Sequence, residues 1–107
     1  MAYRVVVSDP ANADLDAAIG YIAVTLEAPG AAAALLDEYE EKLRLIADNP
    51  RLFGVDLFVS EALSRQIRRC PVKRYGIYYT IDEEQKATYV VAFSHGLRDT
   101  PTIIRKR

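Results

Sequence analysis

Apolar positions along this chain change their period as it runs, and the changes outline its elements. Tyr3–Val7 (YRVVV) is a short β-branched run and reads as a first strand. Ser8-Asp9-Pro10 ends it. Asp9 can cap the helix that follows, and Pro10 suits its first turn, where a backbone N–H has no helical partner in any case. Leu15, Ile19, Ile22 and Leu26 then recur at helical spacing, which predicts an apolar stripe on a helix from Pro10 to Glu27. Ala28-Pro29-Gly30 breaks the pattern. From Ala31 it resumes with Leu35, Leu36, Tyr39, Leu43 and Ile46, while Asp37, Glu38, Glu40, Glu41 and Lys42 mark the opposite face. That is an amphipathic helix of about 18 residues with its acidic side in water. Asn49-Pro50 stops it, and the two helices form a hairpin.

Arg51–Leu63 (RLFGVDLFVSEAL) carries no clear period and is read as a connector, with Leu52, Phe53, Leu57 and Phe58 expected to pin it over the edge of the core. Strand-like runs follow. Arg65–Arg69 is extended but highly charged, and Cys70-Pro71 is expected to end it near Arg69 because proline lacks a ladder donor. Tyr75–Ile81 (YGIYYTI) is aromatic and β-branched, and Ala87–Ser94 (ATYVVAFS) reads as a central strand. The polar connector Asp82–Lys86 makes those two an antiparallel hairpin. The stretch after Asp99, with Ile103-Ile104 and Arg105-Lys106-Arg107, is read as either a last short strand or a loose basic tail. The order β-α-α-β-β-β predicts an α+β fold: one domain, residues 1–107, with a helical hairpin packed on a small, mainly antiparallel, twisted sheet.

Composition adds three things. Half the residues are hydrophobic and 27% are charged, as in ordinary globular domains. No apolar run is long enough for a membrane span, and a single cysteine, Cys70, forms no internal disulfide, so a reducing, cytoplasmic setting is expected. One histidine and one cysteine make no zinc-like ligand set, so neither a metal nor a cofactor is expected. The net charge of −1 conceals an asymmetry: residues 1–63 hold four Lys/Arg against eleven Asp/Glu, and residues 64–107 hold ten against four. A basic C-terminal half attracts acidic partners or nucleic acid, although an overall pI near 5.8 argues against indiscriminate nucleic-acid coating.

The opening YRVVVSDPANADLDAAIGYI, the P-x-A-A before the second helix, the helix end at Asn49-Pro50, the Arg-rich strand, Y-x-I-x-Y-x-I at Tyr75–Ile81 and V-x-A-F-S-H-G-L-R-D at Val90–Asp99 come in an order that resembles the RelE/ParE family of bacterial toxins. The resemblance spans nearly the whole chain. It implies a toxin held inactive by a small antitoxin encoded beside it, whose extended or helical segment wraps the toxin. It further implies that promoter DNA is met only through the antitoxin complex. Two activities occur on this fold. RelE-like members cut mRNA on the ribosome, whereas ParE-like members poison DNA gyrase by protein contact, so fold alone does not decide between them.

Cleavage of RNA needs a base near the ribose 2′-OH, an acid for the leaving oxygen and cations for the phosphorane. His95, Arg98, Arg74 and Tyr75 are the candidates for this role. Arg65, Arg68, Arg69, Lys73, Arg105 and Arg107 are the candidates for contact with an acidic antitoxin. One departure weighs against nuclease chemistry. The resemblance places an arginine directly before the hydrophobic triplet of the third strand and another after the basic residue ending the last, and here those positions are Gly76 and Gly96. The reading that follows is a ParE-like toxin directed at gyrase. The alternatives are a ribosome-dependent mRNA endonuclease and a degenerate member that binds only its antitoxin.

Overall fold

The computed structural model of the chain describes residues 2–95 and 100–105. Strand β1 (Arg4–Val7) leads into helix α1 (Asp9–Gly20). The cap is Ser8 rather than Asp9: the Ser8 hydroxyl accepts from the Ala11 amide at 3.2 Å, and Asp9 and Pro10 fill the first turn. The helix widens at its end into a π turn, Tyr21–Thr25, closed by a bond from the Leu26 amide to the Tyr21 carbonyl at 3.0 Å. The widened turn takes Leu26 off the buried stripe and leaves it 53% exposed, whereas Ala11, Leu15 and Ala18 are buried. Helix α2 (Pro29–Asp48) buries Ala32, Leu35, Tyr39 and Ile46.

The connector is not structureless. Residues Leu57–Leu63 form helix α3, with the Asp56 carboxylate accepting from the Val59 amide at 3.0 Å and the chain leaving through a left-handed Ser64. Only Phe53 of the four expected anchors packs on the core. Leu52, Leu57 and Phe58 are exposed, and Val59 supplies the buried contact instead. The cause is helical geometry: the face of α3 that meets the sheet is set by Val59 and Leu63, spaced four apart.

Strands β2 (Arg68–Val72), β3 (Tyr75–Asp82) and β4 (Ala87–Ser94) form an antiparallel meander, and β1 joins it parallel to β4, giving the order β1-β4-β3-β2. Strand β2 runs through Pro71 instead of ending before it. It is an edge strand, where a missing N–H faces no sheet neighbour. A bulge interrupts the β3–β4 ladder: Tyr78 faces Ala92 and Tyr79 faces Val90, so Val91 is the extra residue. The chain from Thr100 to Arg105 is a short helix, α4, neither a strand nor a loose tail, and its Ile104 is buried.

Two apolar clusters flank the one sheet. On the side of α1 and α2, Leu15, Leu35, Tyr39, Ile46, Cys70, Val72, Ile77, Tyr79, Val90 and Phe93 pack together. On the other side, Tyr78 and Ala92 meet Val59, Ile67 and Ile104 from α3, α4 and the segment between α3 and β2. The bulge at Val91 allows both: it resets the phase of β4, so that Val90 and Ala92, two residues apart, serve opposite faces.

Candidate functional site

The ends of β3 and β4 bring the chemistry of the chain together. The amide of Phe93 donates to the Asp14 carboxylate on α1 at 3.1 Å, which fixes the end of β4 against the helix. Phe93 then carries an aromatic stack. Tyr39 meets it edge-on with centroids 5.2 Å apart, and Tyr75 lies flat on it at 4.9 Å. The exposed His95 abuts the Tyr75 ring edge-on at 4.3 Å. Arg74 belongs to the tight β2–β3 turn, whose other residue, Lys73, has a left-handed φ of 53°. The turn is tied to α2: the Lys73 amide and ammonium both reach Glu38, at 3.0 and 3.5 Å, and Lys42 donates to the Pro71 carbonyl at 2.9 Å. Two members of the supposedly solvated face of α2 therefore hold the turn in place.

Between this turn and the π turn lies a hollow. Its larger part, about 400 Å³, is lined by Tyr21, Ile22, Leu26, Ala28, Ala31, Arg74, Tyr75 and His95. It continues into about 200 Å³ bounded by Ile22, Ala31, Leu35, Lys73, Arg74 and Tyr75. The walls are mostly aliphatic and aromatic and the lip is cationic. Such a hollow accepts an apolar side chain whose own segment carries carboxylates.

Three of the four catalytic candidates, Arg74, Tyr75 and His95, thus share one hollow. Arg98 lies outside the described residues, as does Arg107 of the partner-binding set. The remaining cations are not gathered on one face. Arg68 pairs with Tyr79 across the ladder, on the side of α1 and α2, and donates to the Phe53 carbonyl at 2.7 Å. Arg69 pairs with Tyr78 on the opposite side and donates to the Tyr78 hydroxyl at 3.1 Å and the Tyr75 carbonyl at 3.2 Å. Arg65 borders a separate hollow of about 310 Å³ with Ser8, Pro10, Val91 and Ile104, and Arg105 donates to the Ala62 carbonyl at 2.7 Å.

Gly76 explains the position of Arg69. A Cβ built at Gly76 would stand 2.4 Å from Nε and 2.8 Å from Cζ of Arg69, so the guanidinium occupies the space that a side chain at 76 would need. The buried groups nearby are kept neutral. Burial pushes the Cys70 thiol up to about 11 and the Tyr79 phenol up to about 12. Tyr79 donates to the Pro50 carbonyl at 2.6 Å, which makes it a structural tie. Among the described residues no group of three or more His, Cys, Asp or Glu side chains is placed to hold a metal ion, and no helix is long and apolar enough to cross a membrane.

The hairpin half of the hollow escaped the sequence reading. Tyr21, Leu26, Ala28 and Ala31 are apolar residues at helix ends, and in sequence they look like core. The one usable signal was the Ala28-Pro29-Gly30 break, which ends the stripe beside them.

This combination of a helical hairpin, a β1-β4-β3-β2 sheet and a cationic-lipped hollow agrees with comparison to known proteins. Residues 5–100 match the family described as the ParE toxin of type II toxin–antitoxin systems, parDE. The chain belongs to the ParE toxin family. No curated protein matches it. Membership gives this ParE-family chain the part of the toxin in a toxin–antitoxin pair, with a cognate antitoxin as its partner.

Proposed function

We propose that this ParE-family toxin acts by protein–protein contact on DNA gyrase rather than by cutting RNA. The observation that carries this reading is the state of the cations around Gly76. Phosphodiester cleavage calls for guanidinium or ammonium groups free to follow charge onto the phosphorane. Here Arg68 and Arg69 are half-buried and bonded to internal oxygens, Lys73 is paired with Glu38, and position 76 has no side chain. The hollow beside His95 is walled by Ile22, Leu26, Ala28 and Ala31, a surface suited to an apolar protein side chain.

The convergence of Arg74, Tyr75 and His95 supports the second reading, a ribosome-dependent mRNA endonuclease with His95 and Tyr75 as proton carriers and Arg74 on the phosphate. Expression without the antitoxin, followed for chromosomal breaks and for new mRNA 5′ ends, separates the two. The expected result is DNA breakage with intact mRNA, and unchanged toxicity of His95→Ala. Cuts at codon boundaries that vanish in His95→Ala would replace the proposal with the nuclease. Normal growth with folded protein would identify a degenerate member that binds only its antitoxin.

A further inference from the structure

The tip of the helical hairpin leaves apolar surface in water that the fold does not require. Leu15, Ile19, Ile22 and Leu26 keep helical spacing, so an unbroken α-helix would carry all four on its buried side. The π turn at Tyr21–Thr25 takes in one extra residue, which swings the chain beyond it by about 100°. The turn is nonetheless firmly closed. The Leu26 amide donates to the Tyr21 carbonyl and the Ala28 amide to the Ile22 carbonyl, each at 3.0 Å. Tyr21, Val24 and Leu26, which are 52%, 76% and 53% exposed, thus crowd one short stretch with apolar surface. Single apolar side chains on a surface need no explanation, but a cluster beside a hollow does.

The other wall of that hollow carries a cation without a partner. Arg74 is exposed and, among the described residues, has no hydrogen bond or ion pair. The carboxylate that could answer it is already engaged. Glu38 receives the Lys73 amide and ammonium at 3.0 and 3.5 Å, and it stands 4.0 Å from the Lys42 ammonium. Among the described residues no Asp or Glu lines the hollow. Apolar walls next to one unanswered positive charge define what fits: a large apolar side chain with a carboxylate beside it on the same segment.

We propose that the hairpin tip is where this toxin grips its protein target, with a large apolar side chain of that target in the hollow against Ile22, Leu26 and Tyr75, and a neighbouring carboxylate on Arg74. This rests on the reading of the toxin as a contact inhibitor of DNA gyrase and assigns that contact to a surface. Both walls are formed in advance, the π turn by its backbone bonds and the β2–β3 turn by Glu38, so binding has little left to order. The buried apolar side chain supplies most of the affinity, and Arg74 supplies orientation and speed of encounter.

Purified gyrase holoenzyme is the probe. Binding and inhibition of DNA supercoiling are measured for the wild-type toxin, Leu26→Asp, Arg74→Glu and a control, Leu52→Asp. Leu52 is also 53% exposed but follows the other end of α2. All three positions are on the surface, so each melting temperature is expected within a few degrees of the wild type. Leu26→Asp and Arg74→Glu are expected to weaken binding and inhibition at least about tenfold, and Leu52→Asp to leave both unchanged. Arg74 sits in an exposed turn without a partner, so Arg74→Glu decides the matter even where Leu26→Asp loses stability. Leu26→Asp and Arg74→Glu that bind gyrase at full strength would overturn the assignment and leave the gyrase reading standing, as would an equal loss for Leu52→Asp. A wild type that neither binds nor inhibits gyrase would instead sink that reading, and the assignment with it.

Discussion

At the scale of single residues, the position that governs the site's character is Gly76. Its missing side chain admits the Arg69 guanidinium, which is then fixed by the Tyr78 hydroxyl and the Tyr75 carbonyl. Gly76→Ala places a methyl group 2.4 Å from Nε and 3.0 Å from Cγ of Arg69, so the whole side chain, not only its tip, must leave. Losing those bonds is expected to lower stability by about 1–3 kcal/mol. A denaturant titration measures it, and the double variant Gly76→Ala/Arg69→Ala should recover part of the loss, since the clash then has no partner. The departure from the nuclease pattern at 76 was visible in the sequence. Its physical reason was not, because Arg69 and Gly76 are diagonal neighbours on paired strands and only the register brings them together.

At the scale of elements, the tip of the helical hairpin stands out. The π turn hands over to Glu27, a non-glycine residue at φ 51°, in the place where a helix end commonly uses glycine. Glu27→Gly relieves that conformation and is expected to raise stability by about 1 kcal/mol, read as a higher melting temperature, without touching the core. The hairpin was legible in the sequence because its apolar stripes run over several turns, and the β3–β4 pair because two aromatic and β-branched runs flank a short polar connector. Helix α3 was not. It has 7 residues, too short for a period to declare itself, and its first two apolar side chains, Leu57 and Phe58, face solvent. The continuation of β2 through Pro71 was missed for a different reason: proline ends a strand only where its N–H would have had a neighbour, and edge status belongs to the sheet, not to the segment. The strand half of the hollow, Arg74-Tyr75 and His95, was found because those residues carry chemistry; the hairpin half was missed because its residues carry none.

At the scale of the whole molecule, Glu83 ties distant parts of the chain. Its carboxylate accepts from the Tyr3 hydroxyl at 2.5 Å, pairs with Arg51, and lies 3.6 Å from Lys86. The tyrosine bond first, and the Arg51 bond next, hold its pKa down to about 2. A carboxyl depressed on folding stabilises the protein fully above its ordinary titration range and ceases to do so as pH falls toward 2. Melting temperatures recorded downward from pH 6 should therefore fall more steeply for the wild type than for Glu83→Gln, with the two curves converging near the acid end. The group is exposed to solvent and salt, so the same difference should shrink at high ionic strength.

The parallel pairing of β1 with β4 also sets a schedule. Among the described residues, residues 4–7 find their only strand partner in residues 87–90, so the sheet cannot close while the chain between them is still being made. At ordinary rates of synthesis that interval is on the order of ten seconds. The wall of the hollow formed by Tyr75 and His95 arrives within the same late window. A nascent chain of this toxin therefore lacks its completed sheet, and the strand-side wall of the hollow, for most of its synthesis.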